Sequence, residues 1–482
     1  MNILLAASEV FPYAKTGGLA DVAGALPKAL ARLGHQVRIV MPRYNFDAIL
    51  RHGARLPGEL RVEFAFGLPA CPVYVDRSAP VPVYFIDAPQ YFHRGKLYGD
   101  YDDVERFAYF SRAVIELAKA LGETFDILHL NDWMTGLVPA YLKTAYASDP
   151  AFTRTSTVFT IHNIAFQGLF GADLLPRLGL PEWLYTTDGG IEFYGAASAL
   201  KAGLLYSDAI TTVSPRYSQE IQTAQEGRRM EGLLRARSHD LFGILNGVDY
   251  DEWSPERDPY IAANYSMHDL SGKQECKRDL LRSFGLSEDL SRPVIGVISR
   301  LSDQKGFDLI IQVITRVLDR GANFILLGSG ADYYERVFQS LRDARPWQVG
   351  VYFGLSNELA HKVEAGADMF LMPSLFEPCG LNQMYSLRYG TVPIVRAVGG
   401  LDDTVQNFDR LTRQGNGFKF YDYNAESLLE KIYEALLVYL NRDLWHTLML
   451  NGMRADFSWE ASARRYVQVY EGLTWRKRGF AG

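Results

Sequence analysis

Cysteine is scarce in this sequence: Cys71, Cys276 and Cys379 are the only three in 482 residues, and they lie far apart. That number and spacing give no disulfide framework and fit a reducing compartment. The nine histidines form no His-Glu-x-x-His or Cys/His pattern, so the sequence offers no metal site. An excess of positive charge is also missing. With 50 Lys and Arg against 56 Asp and Glu, the net charge of -6 argues against nucleic acid, because binding a polyanion needs concentrated basic charge. A small phosphorylated ligand is not excluded, since a few placed cations hold one. No apolar run approaches the roughly 20 residues that a membrane helix needs. The opening residues 1–15 lack a basic leader and carry Glu9 inside their apolar stretch. They read as a buried first strand, and the expectation is a cytoplasmic protein without a membrane partner.

What is present points to two α/β domains. The length exceeds one ordinary core, and 48% hydrophobic with 22% charged residues is a globular composition. Short apolar runs alternate with amphipathic stretches, the pattern of parallel strands joined by crossover helices. Strands are expected at 2–7, 37–41, 83–86, 127–130, 156–161 and 209–213 in the first half. In the second half they are expected at 293–298, 323–327, 349–353, 369–372 and 392–395. Helix-like segments such as 107–121 and 307–320 separate them, so two doubly wound units follow. Gly17–Gly24 (GGLADVAG) and Gly399–Gln406 (GGLDDTVQ) echo each other, one in each half. The turn-rich NGVDYDEWSP at Asn246–Pro255 marks the boundary between 1–245 and 246–456. The amphipathic segment 459–475, with Tyr466, Val469 and Tyr470 on one face, either completes the second domain or returns to the first.

Several segments carry chemistry. Lys15-Thr16-Gly17-Gly18-Leu19 follows the first strand and opens a helix, which suits an anion: glycines admit close approach, helix amides point outward and Lys15 adds charge. A tight turn with a solvated lysine accounts for it equally well. Arg300 and Lys305 lie just past the strand at 293–298, where open α/β sheets bind ligands, and together suit a diphosphate. An ordinary charged surface loop is the alternative. Gly328 and Gly330 end a neighbouring strand and suit either a ligand or a simple turn. Glu377, followed by Pro378, Cys379, Gly380 and Leu381, offers a carboxylate for sugar hydroxyls and amides for an anion, or is an exposed loop. His129, Asn131 and Asp132, and His162 with Asn163, close strands in the first half and suit hydroxyl recognition, and Trp133 offers a face for a sugar ring. For either histidine alone, a satisfied core position is the commoner outcome. Tyr98–Tyr101 looks exposed, and aromatic surfaces suit carbohydrate stacking.

Taken as a series, SEVFPYAKTGGLADVAGALPKAL, TIHNIAFQG, NGVDYDEWSP, SRLSDQKGFDL and SLFEPCGLNQMYSLRYGTVPIVRAVGGLDDTV resemble the glycogen and starch synthases in order and spacing, over essentially the whole chain. The resemblance implies a GT-B fold, two Rossmann-like domains facing across a deep cleft, with residues 457–482 crossing back to the first domain. It implies glucose transfer from ADP-glucose to the non-reducing end of an α-1,4-glucan, with retention of configuration and with no cofactor or required metal. By position, Arg300 and Lys305 meet the diphosphate, Glu377 the donor glucose, and Cys379, Gly380 and Leu381 its phosphate side. Lys15, Gly17 and Gly18 match the donor's glycine loop. Asp132, His162 and Asn246 match residues around the transferred glucose, Tyr98 a tyrosine near acceptor or nucleotide, and Thr404 a contact of the distal phosphate.

Two positions depart from the wider pattern. Tyr385 stands where many retaining GT-B enzymes have a second glutamate, and Asn131 stands where a histidine usually precedes the Asp-Trp pair. A retaining transferase using UDP-glucose is the alternative reading. A phosphorylase would need a pyridoxal phosphate lysine that the sequence does not show, and a glucan-binding protein without activity would not need the retained charged residues. No side chain stands out as a covalent nucleophile, which favours front-face substitution.

Overall fold

The computed structural model describes residues 1–45, 53–64 and 70–479, with 478 and 479 described as backbone alone. The chain divides into two compact units, Met1–Gly247 together with Trp459–Gly482, and Val248–Ser458.

In the first unit the described residues form a nine-stranded sheet. Its order is Leu241–Gly243, Ala209–Thr212, Ser156–Ile161, Ile127–Asn131, Asn2–Ala6, Gln36–Pro42, Val83–Ile86, Val73–Asp76 and Gly53–Arg55. The first seven run parallel, and the last two pair antiparallel at one edge. Strands covered on both faces have no polar side to show, so they read as unbroken apolar runs. Ile3–Ala6 and Ser156–Ile161 are buried throughout. The strand Asn2–Ala6 lies between Gln36–Pro42 and Ile127–Asn131. The winding direction reverses there, and the loops leaving Ala6 and Asn131 open from that switch point, where such sheets bind ligands.

In the second unit the described strands form a six-stranded parallel sheet. Its order is Val349–Tyr352, Asn323–Leu327, Val294–Ile298, Met369–Met372, Val392–Arg396 and Phe418–Phe420, or 3-2-1-4-5-6 in the unit's own numbering. That is the doubly wound order, with its switch point between Val294–Ile298 and Met369–Met372. The helix Phe307–Leu318 buries Phe307, Ile310, Val313, Ile314 and Val317, the three-and-four spacing of one helical face, against this sheet.

All eleven expected strands form, with ends shifted by at most one or two residues. The short strands Gly53–Arg55, Val73–Asp76, Leu241–Gly243 and Phe418–Phe420, and the small sheet of Leu169–Phe170, Glu192–Phe193 and Ala196–Ser198, have no counterpart in the sequence reading. Runs of two to four residues are too short to show a period of two. The helix Trp459–Gly479 packs on Gly18–Arg32 in the first unit. Tyr466 and Tyr470 are fully buried there, Tyr470 hydrogen-bonds His129 at 2.7 Å, and Ser462 donates to Leu245 O at 2.6 Å. Among the described residues no helix is long and apolar enough to cross a membrane.

Candidate functional site

The second unit's switch point brings two loops together. Gly306 has φ 76°, and a Cβ on it would stand 2.2 Å from Pro373 O. Only glycine allows the loop Ser299–Lys305 to lie against the chain leaving Met369–Met372. Lys305 Nζ then reaches Glu377 Oε2 at 2.5 Å, and Ser374 Oγ donates to the same oxygen at 3.2 Å. Glu377 is buried. A lysine ammonium and a serine hydroxyl thus meet the one carboxylate oxygen, and removing one partner of a buried ion pair costs about 3–5 kcal/mol. Arg300, on the same loop, is exposed, and its guanidinium has no partner among the described residues.

The paired glycines of the second GGL segment close the loop from behind. Gly399 has φ 43°, and its Cβ would meet Glu377 O at 1.9 Å, so this turn carries the backbone of Glu377–Cys379 directly. Gln383 Nε2 donates to Cys379 O and Gly380 O, each at 3.0 Å, and to Thr404 Oγ1 at 3.3 Å. Thr404 is buried and its hydroxyl donates to Gly400 O at 2.6 Å, so it braces this turn. Cys379 is buried, while Gly380 and Leu381 are partly exposed at the start of the helix Asn382–Arg388. Gly330 packs on Leu301, where its Cβ would lie 2.2 Å from Leu301 O. The close approach read from the Gly328-Ser329-Gly330 turn is therefore to the chain itself.

In the first unit, Glu9 organises the glycine loop. This buried carboxylate accepts from Thr16 N at 2.5 Å, Thr16 Oγ1 at 3.0 Å, Gly17 N at 3.3 Å and Tyr98 OH at 2.9 Å. The amides of Thr16 and Gly17, read from sequence as free for a ligand, are thus taken by the protein's own anion at the N-terminus of Gly18–Arg32. Lys15 is exposed and pairs with Asp21 at 2.6 Å. Tyr98, which looks exposed in sequence, is only partly so, its hydroxyl held by Ser8 and Glu9; Tyr101 is fully exposed.

Asp132 follows the strand Ile127–Asn131 with φ 55°, a left-handed conformation that costs roughly 1–3 kcal/mol outside glycine. It turns the carboxylate onto the next strand's exit, where Oδ1 accepts His162 N at 2.8 Å. Burial pushes its carboxyl up to about 7, against the lowering by the His162 and Asn163 amides, and the charge of Glu9 adds to the rise. His162 Nε2 lies 2.9 Å from Asn131 Oδ1, and its enclosed setting drives the ring down to about 3. His129 is also pushed down to about 3 by burial, but both of its nitrogens are used, by Thr160 Oγ1 at 2.6 Å and Tyr470 OH at 2.7 Å. It is a core histidine. Trp133 is half-buried with Gly168 packed on its indole ring, which removes that surface from sugar stacking. Asn246 is buried beside Val213, and among the described residues its Oδ1 has no hydrogen-bond partner and it shares no bond with the Asp132 cluster.

Sequence reading therefore missed Glu9 as a site residue. Its one signal was a charge inside the apolar first strand's exit. Among the described residues no group of three or more His, Cys, Asp or Glu is arranged to hold a metal.

The likeness to known proteins extends over 98% of the chain. Residues 2–236 match the starch synthase catalytic domain, and residues 282–443 match the glycosyl transferases group 1 family. The chain is 51% identical to a glycogen synthase of Koribacter versatilis, over 98% of both proteins. It is 47% identical to a glycogen synthase of Geobacillus stearothermophilus, again over 98% of both. Among solved structures, the catalytic domain of starch synthase IV from Arabidopsis thaliana, bound to ADP and acarbose, matches with a TM-score of 0.92 and 35% identity, covering 98% of this chain and 99% of that one.

Proposed function

The chain belongs to the glycogen and starch synthase family of glycosyltransferases, and we propose that it moves glucose from ADP-glucose to the non-reducing end of an α-1,4-glucan with retention of configuration. The observation that carries this reading is the Lys305–Glu377 pair at the second unit's switch point, with the unpartnered Arg300 guanidinium on the same loop. A carboxylate for a sugar and two cations for a diphosphate are what a sugar nucleotide requires. The ADP held by the starch synthase IV structure supports adenine as the base.

In this reading Arg300 and Lys305 neutralise the diphosphate as it leaves, which is catalysis by charge placed where charge develops. Glu377 binds the donor glucose, Cys379, Gly380 and Leu381 line the phosphate side, and Thr404, which also braces their turn, meets the distal phosphate. From the first unit, Lys15 and the Gly17–Gly18 loop bind the donor, and Asp132, His162 and Asn246 hold the transferred glucose. Tyr98 stands near the acceptor or nucleotide. We assign 1–245 to the acceptor side, 246–456 to the sugar nucleotide, and 457–482 to the first domain.

The chemistry is a front-face substitution. The bond from C1 to the diphosphate oxygen breaks, the acceptor's 4-oxygen bonds to C1 on the same face, and its proton passes to the departing diphosphate. The protein works in the cytoplasm. Incubation with glycogen and radiolabelled ADP-glucose or UDP-glucose tests the proposal. Incorporation from ADP-glucose is expected, and incorporation from UDP-glucose alone would replace the donor.

A further inference from the structure

His129 lies in the middle of the strand Ile127–Asn131 and His162 just past the end of the neighbouring strand Ser156–Ile161, and the partners of their rings differ in one respect. His129 has a partner on each ring nitrogen. His162 has a partner on Nε2 alone, the amide of Asn131. Its Nδ1 has none among the described residues.

Asn131 is buried as the last residue of Ile127–Asn131. Its Nδ2 donates to Ala6 O on the adjacent strand at 3.0 Å. This bond fixes which way the amide points, because the opposite orientation would set two acceptor oxygens against each other. Oδ1 therefore faces His162 Nε2 at 2.9 Å. A carbonyl oxygen only accepts, so Nε2 carries the hydrogen. The ring is neutral near pH 7, since its pKa is pushed down to about 3, and a neutral imidazole has one N–H. Nδ1 is left with a lone pair.

We propose that Asn131 is a positioning residue: it fixes His162 as the Nε2–H tautomer and thereby presents Nδ1 as an acceptor for a hydroxyl of the bound glucosyl substrate. The second half of this rests on the proposed place of His162 at the transferred glucose. Asp132 contributes to the same arrangement by tying down the His162 amide at 2.8 Å, so backbone and ring are both held. The strand register sets the geometry. Ala6, Asn131 and Thr160 occupy neighbouring exits, and a side chain one residue earlier on its strand would point to the other face.

The test uses the full chain with 15N-labelled histidine, His162→Gln to assign its signals, and ring nitrogen NMR at neutral pH. The wild-type protein is expected to show His162 protonated at Nε2. Asn131→Asp keeps an acceptor for that hydrogen and is expected to keep the tautomer. Asn131→Leu removes the acceptor, and a mixed or Nδ1–H population is expected, with kcat/KM for ADP-glucose at least tenfold lower and Asn131→Asp falling between. A wild-type ring protonated at Nδ1, or an unchanged tautomer in Asn131→Leu, overturns the assignment. The wild-type and Asn131→Asp spectra still decide it if Asn131→Leu does not fold. A shifted tautomer with unchanged turnover overturns the hydroxyl contact and with it the role of His162 at the sugar, while the tautomer assignment stands.

Discussion

Lys305 Nζ and Glu377 Oε2 lie 2.5 Å apart although 72 residues separate them in sequence. The contact exists because adjacent strands of the parallel sheet, Val294–Ile298 and Met369–Met372, release their loops at the same end. Groups that meet in this way act as a unit, so their removal should not be additive. Lys305→Ala and Glu377→Ala are each expected to lower kcat by about 100-fold or more. The double variant should be little worse than the poorer single one. Steady-state kinetics on the three proteins, with circular dichroism to confirm the fold, checks this, and a double loss equal to the product of the singles would mean that the pair is not one device.

Lys15 stands differently. It is exposed and bound to Asp21 at 2.6 Å, so a donor phosphate has to draw it from a surface ion pair worth little, about 0–1 kcal/mol. Lys15→Ala is expected to raise the KM for ADP-glucose with kcat nearly held, the signature of ground-state binding. A fall confined to kcat would place Lys15 at the transition state.

The buried carboxyl of Asp132 makes stability depend on pH. Its folded pKa is about 7, raised from the usual 3.8, so the fold holds its proton more tightly than the unfolded chain does. The stabilising effect is complete below about pH 4 and is lost as pH rises through about 7. Asp132→Asn does not titrate there. Relative to the wild type it should therefore gain stability as pH rises between these limits, by at most about 1.4 kcal/mol per pH unit. Urea unfolding of both proteins across this range measures the difference, and a variant that loses stability relative to the wild type as pH rises would contradict the sign.

The elements that sequence made visible are those with one physical cause. A strand such as Ser156–Ile161, buried on both faces, shows as an apolar run, and Gly306 shows as a glycine before a helix. The relationships that stayed hidden depend on which strands become neighbours. Glu9 looked like a flaw in an apolar stretch until the loop folded back to give it Thr16, Gly17 and Tyr98. The bracing role of Thr404, whose hydroxyl is shared by Gly400 and Gln383, likewise had no mark in the sequence. Asn131, a departure from the usual histidine, became interpretable only when Ala6 and His162 were placed on either side of it.

Tyr385 is the other departure, and its setting explains it. Its ring stacks on Trp253 at 4.0 Å with 3° between planes, and His361 covers the opposite face of Trp253 at 3.9 Å. His361 Nδ1 in turn bonds Asp258 at 2.7 Å, and Tyr389 OH bonds the same carboxylate oxygen at 2.5 Å. The ring at position 385 thus clamps the turn-rich segment that begins the second unit onto the helices Asn357–Gly366 and Asn382–Arg388. A glutamate there would lose a stacked pair worth about 0.5–1.5 kcal/mol beyond its area. It would also set a carboxylate against an indole face in a nearly closed site. Tyr385→Glu is therefore expected to destabilise the protein by roughly 2–4 kcal/mol without raising kcat, whereas Tyr385→Trp should keep most of the stability. Thermal and urea unfolding read alongside turnover decide the matter. A stable and faster Tyr385→Glu enzyme would mean that the position belongs to the chemistry and not to the clamp.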